Sequence, residues 1–127
     1  MASPITWVDI PVKNVDRAIR FYGQVLNVEM KKEEFPTLAV GLVPHESGEV
    51  GVCLFPFPPD ANQPSENGPL VYLNCEGRLG DALELVERFG GRVIKPKHSI
   101  GGFGWRAIVM DCEGNRIALH SREADVG

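Results

Sequence analysis

No apolar run in the 127-residue sequence approaches the roughly 20 residues that cross a bilayer, so no membrane partner is expected. Cysteine is scarce. Cys53, Cys75 and Cys112 form an odd, widely spaced set with no CxxC pair, which suits reduced thiols better than a disulfide scaffold or a zinc ribbon. Basic residues are outnumbered, 13 Lys and Arg against 17 Asp and Glu, for a net charge of −4. No basic run is long enough to track a phosphate backbone, so nucleic acid is not an expected partner. The opening Met-Ala-Ser-Pro-Ile-Thr lacks the basic patch and apolar block of a signal peptide, and with the reduced thiols it points to a cytoplasmic protein. What is present is ordinary: 43% hydrophobic and 24% charged residues describe one globular domain over 1–127, neither disordered nor fibrous.

Two segments carry a helical period. Val15, Ala18, Ile19, Tyr22 and Val25 fall on one stripe, with Asn14 placed as N-cap and Asp16 in the first turn. Leu79, Ala82, Leu83, Val86 and Phe89 repeat that spacing, and Gly90-Gly91 supplies a stop. The stripes match at an offset of 64 residues, a sign of internal duplication. Alternating strands precede both helices, at Ile5–Val12 and Pro69–Glu76. Further strands are expected at 28–34, 38–43 and 50–55 in the first half. In the second they are expected at 92–97, 105–110 and 115–120, the last two joined by a hairpin turn in which Gly114 takes positive φ.

Each half therefore reads strand, helix, three strands. Module 1 spans about 4–56 and module 2 about 69–121. A linker over 57–68 lies in a stretch, Pro56 to Pro69, stiffened by five prolines. Neither half can bury its sheet alone. The expected fold class is α+β: two tandem βαβββ modules that form a curved, cup-like mixed sheet.

Asp9-Ile10-Pro11-Val12-Lys13-Asn14, leading into Arg17-Ala18-Ile19-Arg20-Phe21-Tyr22 and Val25-Leu26, resembles the opening of the vicinal oxygen chelate superfamily. That group includes glyoxalase I, bleomycin-resistance proteins and extradiol dioxygenases. Gly90-Gly91-Arg92-Val93, Gly101-Gly102 and Asp111-Cys112-Glu113-Gly114-Asn115-Arg116-Ile117 are similar to the family's closing stretch. The resemblance implies one divalent metal at the mouth of the cup, held from the first and last strands of each half. Those positions here are Trp7, Leu70, Cys53 and Ala118. None of the four offers an imidazole or carboxylate donor at about 2.0–2.2 Å, and the single thiolate of Cys53 does not make a site, so no metal and no cofactor is expected. His45, His98 and His120 show no HxH or HExxH spacing and read as surface residues.

Strand alternation carries the metal-like positions to a cup face. Trp7, Asp9, Gly51, Cys53, Phe55, Leu70, Tyr72, Asn74, Arg116, Ala118 and His120 would point inward, and their apolar neighbours toward the helices. The expected ligand-binding wall is Trp7, Cys53, Phe55, Leu70 and Ala118, with Asp9, Tyr72, Asn74, Arg116 and His120 as its polar contacts. Trp7 either lines this pocket or plugs it. Asp9, beside Trp7 on an apolar strand, is a candidate base with reduced hydration, or else an ion-pair partner of Arg116 or Arg106. Tyr72 and His120 are candidates to orient or protonate a carbonyl, or are structural. Cys53 has no basic neighbour in sequence and reads as a small buried hydrophobe. Gly101-Gly102-Phe103-Gly104 is either a flap carrying Phe103 or a long hairpin connection.

The resemblance and the donor set together imply metal-independent binding of a small, partly aromatic or amphipathic molecule by a homodimer, as in the bleomycin-resistance type. Two alternatives stay open. One is a glyoxalase- or dioxygenase-like lyase or isomerase using acid–base residues or a metal that these positions do not predict; the other is a scaffold with a filled cup.

Overall fold

The computed structural model describes residues 3–57 and 62–123, so Pro58-Pro59-Asp60-Ala61 of the expected linker lie outside the described residues. The first half runs β1 (Trp7–Val12), α1 (Val15–Leu26), β2 (Lys31–Glu34), β3 (Ala39–Leu42) and β4 (Gly51–Pro56). The second runs β5 (Val71–Asn74), α2 (Leu79–Arg88), β6 (Arg92–Ser99), a 3₁₀ turn at Gly101–Phe103, β7 (Trp105–Met110) and β8 (Arg116–Ser121). Each half makes one four-stranded mixed sheet, in the orders β1-β4-β3-β2 and β5-β8-β7-β6. The first and last strands of each half pair in parallel, which the intervening helix makes possible. No ladder joins the two sheets among the described residues, and they do not close into a barrel.

Local chemistry explains the helix limits. The Asn14 side chain accepts from the Arg17 amide at 3.0 Å and caps α1. At the other end Asn27 takes the left-handed conformation, φ 54°, which an asparagine tolerates. Val28 then donates to the Gly23 carbonyl, so this segment closes the helix and β2 starts at Lys31 rather than at 28. β6 runs on to Ser99, past the expected 97. Pro96 is accommodated because β6 is an edge strand whose register slips between Lys95 and His98.

Alternation holds along the inner strands. Ile10 and Val12 of β1, Leu54 of β4, Leu73 of β5, Val109 of β7, and Ile117 and Leu119 of β8 enter one core with Ala18, Phe21, Tyr22 and Val25 of α1 and Leu79, Ala82 and Val86 of α2. Both modules share that core, so neither helix is left with an open apolar face.

A polar lock reinforces the contact. Glu113, in the β7–β8 turn, is buried and accepts from the Lys13 amide at 2.6 Å, the Asn14 amide at 3.0 Å and Arg17 Nε at 2.6 Å. Tyr22 donates its hydroxyl to buried Asp111 at 2.5 Å, and Asn115 Nδ2 donates to the Pro11 carbonyl at 2.8 Å. Gly114 adopts φ 96° in the same turn, as its sequence position anticipates. Arg78, at the start of α2, donates to the Val25 carbonyl at the end of α1 at 2.6 Å.

Candidate functional site

The unpaired edges of β1 and β5 flank a groove of about 1150 Å³. Trp7, Asp9, Leu70, Tyr72, Asn74 and Arg116 line it together, so the structure gathers six of the ten candidate side chains on one cavity. Cys53, Phe55, Ala118 and His120 are not on its wall. Cys53 and Ala118 sit on the inner strands, Cys53 between Asp9 and Leu42 and Ala118 between Tyr72 and Ile108. Short side chains flanked by longer ones end up beneath them, and both are buried.

Trp7 does not plug this space. Its ring lies over Gly51, directly across the ladder, where a Cβ would stand 2.4 Å from the ring carbons. Only glycine leaves room for that placement. The indole meets His45 edge-on at a centroid distance of 5.8 Å and donates Nε1–H to Asp9 Oδ1 at 2.8 Å, yet Trp7 stays 47% exposed. Asp9 is also exposed rather than stripped of water, because it stands on an edge strand. Neither arginine considered for it is its partner: Arg116 donates to the Gly68 carbonyl at 3.0 Å, and Arg106 turns to Tyr72 and His98.

Tyr72 and His120 are neighbours, with ring centroids 5.9 Å apart, and they line a second cavity of about 510 Å³ with Ile100, Phe103, Arg106 and Arg122. Arg106 Nη1 donates to the Tyr72 hydroxyl, and its guanidinium lies 5.9 Å from that ring's centroid. His120 Nε2 bonds the Phe103 carbonyl at 2.6 Å. This contact ties down the Gly101–Phe103 turn, which also bonds back through Gly104 and Ile100. The segment is a pinned hairpin connection with Phe103 projecting outward, 77% exposed. Sequence reasoning misses Arg106 as a site residue. The signal for it is present, since it is a basic residue at an inward position of β7.

The resemblance-derived metal positions can be tested on their donors. Trp7, Leu70 and Ala118 offer none, and the Cys53 thiol is pushed up to about 11 by burial and by the Asp9 carboxylate. Among the described residues, no three His, Cys, Asp or Glu side chains are placed to share an ion. The residues present do not fit a divalent metal.

The fold and these residues define a paired-module domain, and the sequence model of the Glyoxalase/Bleomycin resistance protein/Dioxygenase superfamily matches residues 5–119. The chain belongs to that superfamily. No curated protein matches it in sequence. Among solved structures, it is similar to a glyoxalase-related enzyme from Fulvimarina pelagi, at 13% identity and a TM-score of 0.67, covering 94% of this chain and 88% of that one. A mutant of the fosfomycin resistance protein FosX from Listeria monocytogenes, complexed with Mn(II), aligns at 13% identity and a TM-score of 0.65, covering 98% and 93%. A mutant of glyoxalase I from Zea mays aligns at 16% identity and a TM-score of 0.70, over 94% of this chain and 46% of that one. At these identities the likeness concerns the fold.

Proposed function

We propose that this protein binds a small, partly aromatic organic molecule in the groove between β1 and β5 without a metal. The observation that carries the reading is Trp7: the side chain standing at a metal-ligand position offers an exposed aromatic face to a large groove instead of a donor atom. Apolar surface from Trp7 and Leu70, with Asp9, Tyr72, Asn74 and Arg116 beside it, is the mixed lining that orients small ligands. The acid–base alternative is less supported. Asp9 accepts from an indole, Tyr72 from Arg106, and His120 bonds a backbone carbonyl, so no two of the three are hydrogen-bonded as an acid–base pair.

We further propose that the protein works in the cytoplasm as a homodimer. A second copy would cover the edges that β1 and β5 leave unpaired. No helix among the described residues is long and apolar enough to cross a membrane.

Calorimetric titration with 1-naphthalenemethanol, an uncharged aromatic probe, tests the binding reading. Saturable binding is expected at one site per chain, weakened about five- to thirtyfold in Trp7→Ala, because a lost aromatic contact in a groove is worth on the order of 1–2 kcal/mol. Failure to bind, or equal binding by the variant, contradicts it.

A further inference from the structure

The face of the second sheet that looks away from the helices has a charge character unlike the rest of the chain. Register across β5, β8, β7 and β6 puts Arg116, Arg92, Lys95, His120, Arg106 and His98 on it. Every side chain there that carries charge near neutral pH is a base, in a protein whose net charge is −4. None of the four Arg and Lys residues forms an ion pair among the described residues. No carboxylate lines the second cavity among the described residues, and Glu76 accepts from the Arg122 and Glu123 amides at 2.7 and 3.1 Å and the Ser121 hydroxyl at 3.3 Å.

Arg106 is held in a way that leaves its charge uncompensated. His98 Nδ1 lies 2.8 Å from the Pro96 carbonyl, and its Nε2 accepts from Arg106 Nε at 3.0 Å. The second acceptor is the Tyr72 hydroxyl, so neither bond is to a carboxylate. Two bonds therefore fix the guanidinium, and three of its five N–H donors remain for another group. A cation oriented without a carboxylate keeps its attraction for an anion, because no ion pair engages it among the described residues and two bonds already hold its rotamer. Tyr72 and Phe103 put aromatic rings on the same cavity, and Tyr72 also lines the larger groove, so the two spaces adjoin.

We infer that this face receives the carboxylate head of a small aromatic acid, seated on Arg106 between Tyr72 and Phe103, with the ligand's apolar body in the adjoining groove. This assigns a ligand class to the binding function proposed above and rests on that reading.

The test is calorimetric titration of the full chain with 1-naphthoate, 1-naphthalenemethanol and 1-naphthylmethylamine, which share a ring system and differ in charge. The naphthoate is expected to bind at least tenfold more tightly than the alcohol, with the amine weakest. Arg106→Gln should bring the naphthoate-to-alcohol ratio close to one. Arg20→Gln, which removes an equal charge from the exposed side of α1, should leave the ratio intact. If Arg106→Gln does not fold, Phe103→Ala serves, since that side chain is 77% exposed, and it should weaken naphthoate severalfold. Equal binding of acid and alcohol, a ratio that survives Arg106→Gln, or naphthoate affinity untouched by Phe103→Ala overturns the anion site while leaving the groove reading standing. Binding of none of the three probes overturns both.

Discussion

Replacing Glu113 by Gln isolates the lock between the modules. The carboxylate is enclosed, with a side chain at 0% exposure, and takes three donors at 2.6–3.0 Å from Lys13, Asn14 and Arg17. A glutamine retains one acceptor oxygen and turns an NH₂ group toward a donor. Hydrogen bonds to a charged acceptor are worth about 1.5–3 kcal/mol each. Water can reach Lys13 and Asn14, which are exposed, and Arg17, whose side chain is 46% exposed, so part of the loss is recovered. A net cost of about 3 kcal/mol at neutral pH follows, or about 10 °C in Tm for a domain of this size.

The cost also has a predicted pH dependence. Burial alone would raise the Glu113 pKa, but Arg17 and the Asn14 and Lys13 amides outweigh it and hold it below the ordinary value of 4.5. A carboxylate with a lowered folded pKa contributes in full above its unfolded value and loses that contribution as the pH falls through the folded one. The gap between wild type and variant, read from urea unfolding at several pH values, should therefore be full near neutrality and close progressively below pH 4.5. A gap under about 1 kcal/mol at neutral pH, or one constant across the range, would refute the lock.

Tyr22→Phe should cost about 1–2 kcal/mol in the same unfolding assay, because buried Asp111 loses one of its donors; a neutral result would mean that the bond contributes nothing. Gly51→Val should dislodge Trp7, whose ring atoms stand 2.4 Å from the new Cβ, shifting tryptophan emission and weakening 1-naphthalenemethanol; an unchanged spectrum contradicts the stacking geometry. Cys53 and Cys75 are pushed up to about 11, and Cys112 to about 12, chiefly by burial. All three should react slowly with a thiol reagent at mildly alkaline pH in the folded protein and quickly in denaturant, and prompt labelling of the native protein would disprove this.

Much of the fold is legible in the sequence because its signals are local. The stripes at Val15–Val25 and Leu79–Phe89 mark both helices, and strand alternation sorts Ile10 and Ile117 from Asp9 and Arg116 without any tertiary information. The limits of that reasoning are equally specific. Phe21 lies off the quoted stripe yet is fully buried, because the second module covers a wider arc of α1 than one sheet would. Asp111, Glu113 and Asn115 read as an ordinary hairpin turn. Their partners Tyr22, Lys13, Arg17 and Pro11 are about 90 to 100 residues away, and nothing in the turn's composition reveals them. The site is half legible: alternation finds the inward positions, but not which of them a larger neighbour would cover, nor that Arg106 would be held by an imidazole and a hydroxyl.

At the centre of these proposals is the reading that Trp7 and Leu70, at two of the family's metal positions, serve an organic binding surface instead. Metal content tests this most directly. The purified protein is dialysed against Mn(II), Ni(II) and Zn(II) in turn, and bound metal is counted by mass spectrometry alongside Tm. No stoichiometric ion and an unmoved Tm are expected. One ion per chain, together with the rise in Tm that about 2.7 kcal/mol of linkage gives at a hundredfold excess over Kd, would contradict it.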